Sequence, residues 1–190
     1  MVVIYISATN RGSTRAVADF YATPEKVIHT FLNNYNLKDG NILEPTAGNG
    51  NIIKVIRERE SKPHYITSIE IRKEEYNNLS KYSNEVIITD FLNWQPTNTY
   101  KTIISNPPYS IAQEIIEKCF KIANEDTEII MLLRTAFLES KKRYSFWQKY
   151  PLNGLYVLSQ RPSFTGKGTD ATSYSWFIWN GSDKQEIKVI

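Results

Sequence analysis

Residues 42–51 read Ile42-Leu43-Glu44-Pro45-Thr46-Ala47-Gly48-Asn49-Gly50-Asn51, a short apolar strand that runs into a glycine-containing turn. A helix-like stretch, residues 52–57, follows directly. Gly48 and Gly50 let the backbone bend sharply and approach a ligand closely. The turn lacks the third glycine of the dinucleotide fingerprint and the Gly-Lys-Ser/Thr of a phosphate-binding loop, which argues against NAD and ATP. The segment therefore predicts a strand, a ligand-facing turn and a helix.

Apolar runs and helical patterns alternate along the rest of the chain. The apolar runs cover residues 65–71, 86–89, 101–105 and 128–133, and helical patterns follow at 73–82, 111–123 and 136–149. This alternation predicts a doubly wound α/β fold, with a mostly parallel sheet and helices on both faces. Two later runs, 155–158 and 175–179, have no full helix between them and predict an antiparallel strand pair at the sheet edge. Ligands of such sheets bind outside the carboxyl ends of the strands, so functional residues are expected there.

The length and composition predict a single globular domain over residues 1–190. The chain has 41% hydrophobic and 23% charged residues, and no apolar stretch approaches the roughly 20 residues that a membrane-spanning helix needs. The apolar start, residues 1–6, lacks a basic flank and is too short for a secretion signal, and we expect residues 1–19 to form an N-terminal arm or an added strand. We expect a monomer or weak dimer with no membrane partner.

The cysteine and histidine content argues against a metal site. Cys119 is the only cysteine, which excludes an internal disulfide, and His29 and His64 lie far apart in the sequence. Cys119 falls in the apolar helical pattern of residues 111–120, so we expect a buried, inert thiol. A single cysteine is typical of a reducing compartment, and we expect the cytoplasm.

The motif Asn106-Pro107-Pro108-Tyr109 directly follows the apolar run 102–105. Each proline fixes its own backbone and favours extended geometry in the residue before it, so the Asn106 side chain and the Pro107 carbonyl are held rigid at a strand end. Two neighbouring acceptors of this kind suit a planar exocyclic amine. Hydrogen bonds from both its N–H groups would turn the nitrogen lone pair toward an electrophile, and Tyr109 would offer a face for the base to stack on.

This motif resembles the catalytic motif of S-adenosylmethionine-dependent amino-methyltransferases, above all those that act on the adenine amino group of DNA. The chain as a whole is most similar to small phage-type DNA adenine-N6 methyltransferases, in which no separate target-recognition domain follows. The resemblance implies S-adenosylmethionine as cofactor, a Rossmann-like fold with a seven-stranded sheet and an antiparallel edge strand, and four catalytic residues: Asn106, Pro107, Pro108 and Tyr109.

The ends of the other strands supply candidate cofactor ligands. Glu70 ends the second strand 20 residues past Gly50, where an acidic residue can accept hydrogen bonds from ribose hydroxyls. The resemblance implies that Asp90 accepts from the cofactor adenine and that Phe91 stacks on it. Residues 19–26 resemble the motif that holds the methionine end, although Thr23-Pro24 is also an ordinary helix start. The expected cofactor-binding residues are Tyr21, Thr23, Pro24, Glu44, Pro45, Ala47, Gly48, Gly50, Glu70, Asp90, Phe91 and Asn106.

Candidate substrate contacts lie in the third quarter of the chain. Residues 134–167 contain seven basic residues and one acidic residue, which suits either a phosphate-facing surface or a solvated helix face. A duplex hides the adenine amine, so the base must be flipped out or the substrate must be single-stranded. We expect Arg161 and Lys167 to hold phosphate and Phe164 or Trp176 to stack on, or fill in for, the flipped base, with base recognition by loop 162–173. Burial in the core is the alternative for Trp176.

Several functions remain open from the sequence. The resemblance extends to enzymes that methylate adenine or guanine amines of RNA and to those that methylate a glutamine amide of protein-release factors. The glutamine enzymes carry a helical substrate domain ahead of the sheet, for which the residues before Tyr21 are too few. A catalytically silent module that binds cofactor or nucleic acid is a further alternative. DNA adenine is the substrate that we expect, with RNA as the principal alternative.

Overall fold

The computed structural model of the protein describes residues 22–59, 64–164 and 171–190. The expected N-terminal arm or strand, residues 1–19, lies outside the described residues. In the described part of the chain, one sheet contains eight strands: β1 (Ile42–Glu44), β2 (Ile66–Glu70), β3 (Glu85–Ile88), β4 (Thr102–Ser105), β5 (Glu128–Arg134), β6 (Gly154–Val157), β7 (Tyr174–Trp179) and β8 (Glu186–Val189).

The strand order is β3-β2-β1-β4-β5-β7-β6-β8. Strands β1 to β5 pair in parallel, and β7 runs antiparallel between β5 and β6. The chain therefore has the α/β, doubly wound, Rossmann-like architecture that the sequence predicts. The order reverses between β1 and β4, and a crevice forms at such a switch point outside the carboxyl ends of the strands.

Two details of the sheet differ from the expectation. The described strands number eight instead of seven, because the polar segment Glu186–Val189 pairs in parallel with β6. The antiparallel strand β7 is interior and not at the edge, and all six of its residues are buried. Strand β8 was missed because its residues alternate between charged and apolar in a segment with no long apolar run. Its apolar residues, Ile187 and Val189, are 75% and 72% exposed, so the strand has no buried apolar pattern that the sequence could signal.

Helices cover both faces of the sheet. They are α1 (Glu25–Leu32), α2 (Asn51–Arg59), α3 (Tyr76–Leu79), α4 (Ala112–Ile122) and α5 (Tyr144–Lys149). One buried cluster joins residues of α1 and α2 to the sheet, and a second joins residues of α4 and α5 to its other face. Cys119 is fully buried in the second cluster, and burial raises the pKa of its thiol, as an inert cysteine requires.

The helix expected at residues 136–149 is broken. Two 3₁₀ turns, Thr135–Leu138 and Lys141–Arg143, precede the short α5. Ser140 between them has φ +128°, a conformation that a continuing helix excludes, and its hydroxyl accepts from the Lys142 N–H. The Arg143 guanidinium donates to the carbonyls of Phe137 and Glu139, which stabilises the irregular turn.

No helix in the described segments has the length and apolar character needed to cross a bilayer. The same segments contain no group of three or more His, Cys, Asp or Glu side chains arranged to hold a metal ion.

Candidate active site

A cavity of about 280 Å³ lies at the carboxyl ends of β1, β2 and β4 and beside the residues that follow β3. Most of the expected cofactor and catalytic residues come together in its wall: Thr23, Glu44, Pro45, Ala47, Gly48, Glu70, Asp90, Phe91, Asn106 and Pro108. The topology explains this convergence, because parallel neighbouring strands deliver their terminal residues to one edge of the sheet. Tyr21 and Lys167 lie outside the described residues.

Four expected residues do not line the cavity: Pro24, Gly50, Pro107 and Tyr109. Pro24 is the N-cap of α1, and its carbonyl accepts from the Val27 N–H. Gly50 has φ +84°, and a Cβ there would lie 3.0 Å from Leu79 Cδ2. Gly50 therefore serves the turn and its packing, since the space that its missing side chain leaves is filled by the protein itself.

The turn after β1 is braced by Glu70. The Gly48 N–H donates to Glu70 Oε2 at 2.7 Å, and the Arg72 backbone N–H and Nε both donate to Glu70 Oε1. Glu70 is only 7% exposed, yet it lines the cavity. A carboxylate has about four acceptor sites, so this bracing leaves capacity for a ligand hydroxyl.

Glu44 is the most unusual group in the wall. It is 2% exposed, and its Oε2 has no hydrogen-bond partner among the described residues. Burial, and then the nearby Glu70 carboxylate, raise the pKa of Glu44 well above its ordinary value. The Ile53 backbone N–H donates to the Glu44 carboxyl, which leaves Oε2 as the oxygen without a partner. A buried acid with one such oxygen, beside a second acid, makes this end of the cavity suited to a cationic ligand.

Asp90 and Phe91 form another part of the cavity wall. Asp90 Oδ1 accepts from the Leu92 N–H at 2.9 Å, and Oδ2 accepts from Asn93 Nδ2 at 3.0 Å. These bonds cap the 3₁₀ turn Phe91–Asn93. Phe91 is 2% exposed and lines the cavity, so Asp90 and Phe91 present a carboxylate and an aromatic ring side by side.

The Asn106 side-chain amide is hydrogen-bonded at both of its ends. Its Nδ2 donates to Thr23 Oγ1 at 3.0 Å, and its Oδ1 accepts from the Tyr109 hydroxyl at 3.1 Å. The side chain is therefore held between the start of α1 and the turn after β4, half-buried at the cavity. Thr46 and Ser105 share a 2.6 Å hydrogen bond that ties the ends of β1 and β4 together beside it.

The expected substrate residues that the structure describes differ in burial. Arg161 is exposed, and Phe164 is half-buried with its ring 4.9 Å from that of Tyr174. Trp176 is fully buried and stacks on Phe31 with centroids 4.6 Å apart, so the expectation that it stacks on a base is wrong. The physical reason is its position on the interior strand β7, where the α1 side of the sheet is packed with aromatic rings.

Sequence reasoning missed several residues of this region. Ile71 and Arg72, directly after Glu70, line the cavity, and Ile71 is 58% exposed despite being apolar. Arg134 lies at the end of β5 with its guanidinium 5.1 Å from the centroid of the Tyr109 ring. Ile71 and Arg72 could have been found by the signal that found Glu70 and Asp90, namely position at the carboxyl end of a strand, whereas the Arg134 contact depends on strand pairing.

Comparison with known proteins places the chain in a family. Residues 18–145 match the family model described as ribosomal RNA adenine dimethylase. The chain is 27% identical over 121 residues to the Type II methyltransferase M.TthHB8I of Thermus thermophilus, covering 63% of this chain and 26% of that protein. It is 30% identical over 148 residues to ribosomal RNA small subunit methyltransferase A of Malacoplasma penetrans, covering 67% of this chain and 54% of that protein.

Solved structures show the same fold. The methyltransferase subunit of a type I restriction-modification system from Streptococcus thermophilus superposes with a TM-score of 0.65 at 13% identity, covering 90% of this chain and 47% of that one. The chain spans about a quarter and about half of the length of the two curated relatives. The chain belongs to the ribosomal RNA adenine dimethylase family, whose cofactor is S-adenosylmethionine.

Proposed function

We propose that the protein methylates the exocyclic amino group of adenine in DNA, with S-adenosylmethionine as the methyl donor. The observation that carries this proposal is the position of Asn106, whose amide lies in the wall of the same cavity as Glu44, Glu70 and Asp90. An amine acceptor and a set of candidate cofactor ligands are thereby held within one pocket.

The residues of the cavity fit the cofactor. S-adenosylmethionine carries a sulfonium and an ammonium group, and the unpaired Oε2 of Glu44 is a buried acceptor suited to positive charge. Glu70 is placed to accept from ribose hydroxyls, as acidic residues at the end of a second strand do. Asp90 and the Phe91 ring suit the adenine, and Ile71 adds apolar surface on the wall.

The protein's part in catalysis is positioning. When bound, S-adenosylmethionine supplies an electrophilic methyl group. Asn106 Oδ1 and the Pro107 carbonyl accept the two N–H groups of the base, so that the nitrogen becomes tetrahedral with its lone pair toward the methyl group. Thr23 holds the other end of the Asn106 amide, which keeps Oδ1 on the side of Tyr109. Fixed dipoles of this kind act without a strong base, because the attacked amine becomes cationic and then loses its proton easily.

The Tyr109 hydroxyl occupies the Asn106 acceptor before a base arrives. A bound adenine amine must share Oδ1 with that hydroxyl or displace it. The Tyr109 ring then lies beside the base and can stack on it, as aromatic side chains do with unstacked bases. Exposed Arg161 is placed in the same proposal as a phosphate contact.

RNA adenine is the second candidate. The family model is named for ribosomal RNA adenine dimethylases, and one relative is a ribosomal RNA methyltransferase. The chemistry at Asn106 is the same for both polymers, so the choice between them depends on the surface that surrounds the cavity.

The test is to incubate the protein with S-adenosylmethionine labelled on the methyl group and separate pools of duplex DNA, single-stranded DNA and RNA. Each pool is then digested and the labelled nucleoside is identified. We expect N6-methyladenine from a DNA pool. Label that appears only in RNA selects the second candidate, and no label in any pool, with cofactor binding intact, supports a silent module and rejects both.

A further inference from the structure

We propose that Arg134 is a positioning residue that holds the Tyr109 ring in the plane required for stacking on the target base. The inference rests on the proposed function and deepens it by assigning a role to a residue outside the Asn106–Tyr109 motif. Arg134 is the last residue of β5, the strand next to β4, and is half-buried.

Arg134 contacts the Tyr109 ring. The Arg134 guanidinium carbon lies 5.1 Å from the centroid of the Tyr109 ring. A guanidinium within about 6 Å of a tyrosine face is attracted by the ring quadrupole, and the planar group also packs against the ring. The contact therefore supports one face of Tyr109 and leaves its hydroxyl on Asn106 Oδ1.

Arg134 is itself anchored by its neighbours on β7. Arg134 and Tyr174 are paired residues of the antiparallel strands β5 and β7, so their side chains lie on the same face of the sheet. Arg134 Nε lies 3.4 Å from the Tyr174 hydroxyl, a long hydrogen bond, and the Tyr174 ring also lies 5.8 Å from the Tyr109 ring. Tyr174 is 1% exposed, so it supplies a rigid base for this arrangement.

Tyr174 also contacts the expected substrate loop, residues 162–173, through Phe164. Phe164 packs edge-on against Tyr174 with centroids 4.9 Å apart. A continuous set of contacts thus runs from Phe164 through Tyr174 and Arg134 to Tyr109 and Asn106. A base that stacks on Tyr109 meets a ring already fixed in orientation, which reduces the ordering cost of binding it.

The experiment measures kcat and KM for the methylated polymer, together with cofactor affinity and Tm, in Arg134→Met and Arg134→Lys. We expect Arg134→Met to lower kcat/KM about tenfold with cofactor affinity unchanged, and Arg134→Lys to recover part of the loss because it restores a cation over the ring. The matched control is Lys188→Met, which removes a cation 4.9 Å from the Tyr156 ring at the β8 edge and should leave kcat/KM unchanged.

A double-mutant cycle separates this role from a direct contact with nucleic acid. In a Tyr109→Leu background there is no ring to position, so Arg134→Met should change kcat/KM less than about twofold. The same tenfold loss in both backgrounds would overturn the proposal, because Arg134 would then act on the polymer itself. Loss of cofactor affinity in step with Tm would also overturn it and indicate a structural role. These outcomes leave the proposed function standing, whereas a wild-type protein that labels no polymer rejects the proposed function itself.

Discussion

The Glu44 carboxyl is an ionisable group that is buried away from water. One oxygen of this buried carboxyl has no hydrogen-bond partner in the described part of the chain, and Glu70 adds like charge nearby. Both effects favour the protonated acid and raise the pKa of Glu44 above the ordinary value of 4.5. A site that is costly for stability but suited to a cation is typical of a binding pocket.

The first prediction concerns how the free energy of unfolding depends on pH. The unfolded chain ionises Glu44 at its ordinary pKa, whereas the folded chain resists ionisation until its raised pKa. The free energy of unfolding should therefore fall as pH rises between those two values, by up to about 1.4 kcal/mol per pH unit. Glu44→Gln should lose this slope and exceed the wild type in stability at neutral pH. Urea denaturation from pH 4 to 8 measures the free energy of unfolding of both proteins. The control is Glu139→Gln, which replaces an exposed glutamate in the same way.

Glu44→Gln should also weaken cofactor binding, because an amide, unlike the acid, cannot lose a proton and pair with the positive charge of a ligand. Isothermal titration calorimetry with S-adenosylmethionine at neutral pH checks this second prediction, and we expect a loss of about tenfold or more. A variant that is more stable and binds as tightly as the wild type would show that Glu44 does not contact the cofactor.

Single residues at strand ends were largely predictable from the sequence, since Glu44, Glu70, Asp90 and Asn106 follow recognisable apolar runs and meet in one cavity. Arg134 was not predicted as a neighbour of Tyr109, because its contact depends on which strand lies beside β4 and how β7 pairs with β5. Such a contact is decided by strand order and register, which no local pattern contains.

At the scale of elements, the turn between β1 and α2 determines the shape of the cavity. Gly48 and Gly50 both have positive φ, at 58° and 84°. Gly48 lines the cavity and donates to Glu70, whereas Gly50 packs against Leu79 and Ile53. The two glycines of one motif thus lie in different surroundings, the first at the cavity, where we propose that the cofactor binds, and the second in packed protein.

The third prediction compares Gly50→Ala with Gly181→Ala. Gly181 has φ +73°, similar to Gly50, but a Cβ at Gly181 would lie no closer than 3.9 Å to its nearest neighbour, the Glu125 carbonyl oxygen. Gly181→Ala should cost about 1–2 kcal/mol of folding free energy from backbone strain alone. Gly50→Ala should cost more, because its Cβ would also press on Leu79 at 3.0 Å. If chemical denaturation gives equal losses of unfolding free energy for the two variants, the Leu79 side chain can move away from the added methyl group without cost.

The wrong predictions concern elements whose structure depends on contacts with distant parts of the chain. The helical pattern of residues 136–149 did not reveal the break at Ser140, whose positive φ depends on the surrounding turn. The alternation in β7 did not distinguish a surface ring from a buried one, so Trp176 was misplaced. The polar strand β8 forms only because β6 offers a free edge.

At the scale of the whole molecule, Glu128 at the start of β5 joins separate parts of the chain. It is fully buried and accepts hydrogen bonds from the Tyr35 hydroxyl, the Lys38 N–H and the Thr102 hydroxyl. The segment after α1 is thereby tied to the amino ends of β4 and β5, at the opposite end of those strands from the cavity.

The fourth prediction is that Glu128→Ala destabilises the fold by about 3 kcal/mol or more, because it leaves three donors around a buried position without their acceptor. Asp126→Ala is the matched control, since that carboxylate is 78% exposed and water screens its ion pair with Lys101, which should therefore contribute little to stability. Equal urea midpoints for the two variants would contradict the role of Glu128.

Asn106 is the residue on which the proposed methyl transfer depends most, and the most direct measurement is single-turnover methyl transfer by the wild type and Asn106→Ala at saturating S-adenosylmethionine. We predict that Asn106→Ala lowers the rate of N6-methyladenine formation by about 100-fold or more while cofactor binding is largely kept. Asn106→Asp retains the acceptor but loses the donor to Thr23, so its rate of N6-methyladenine formation should lie between those of the wild type and Asn106→Ala. An alanine variant that methylates at the wild-type rate would contradict the account.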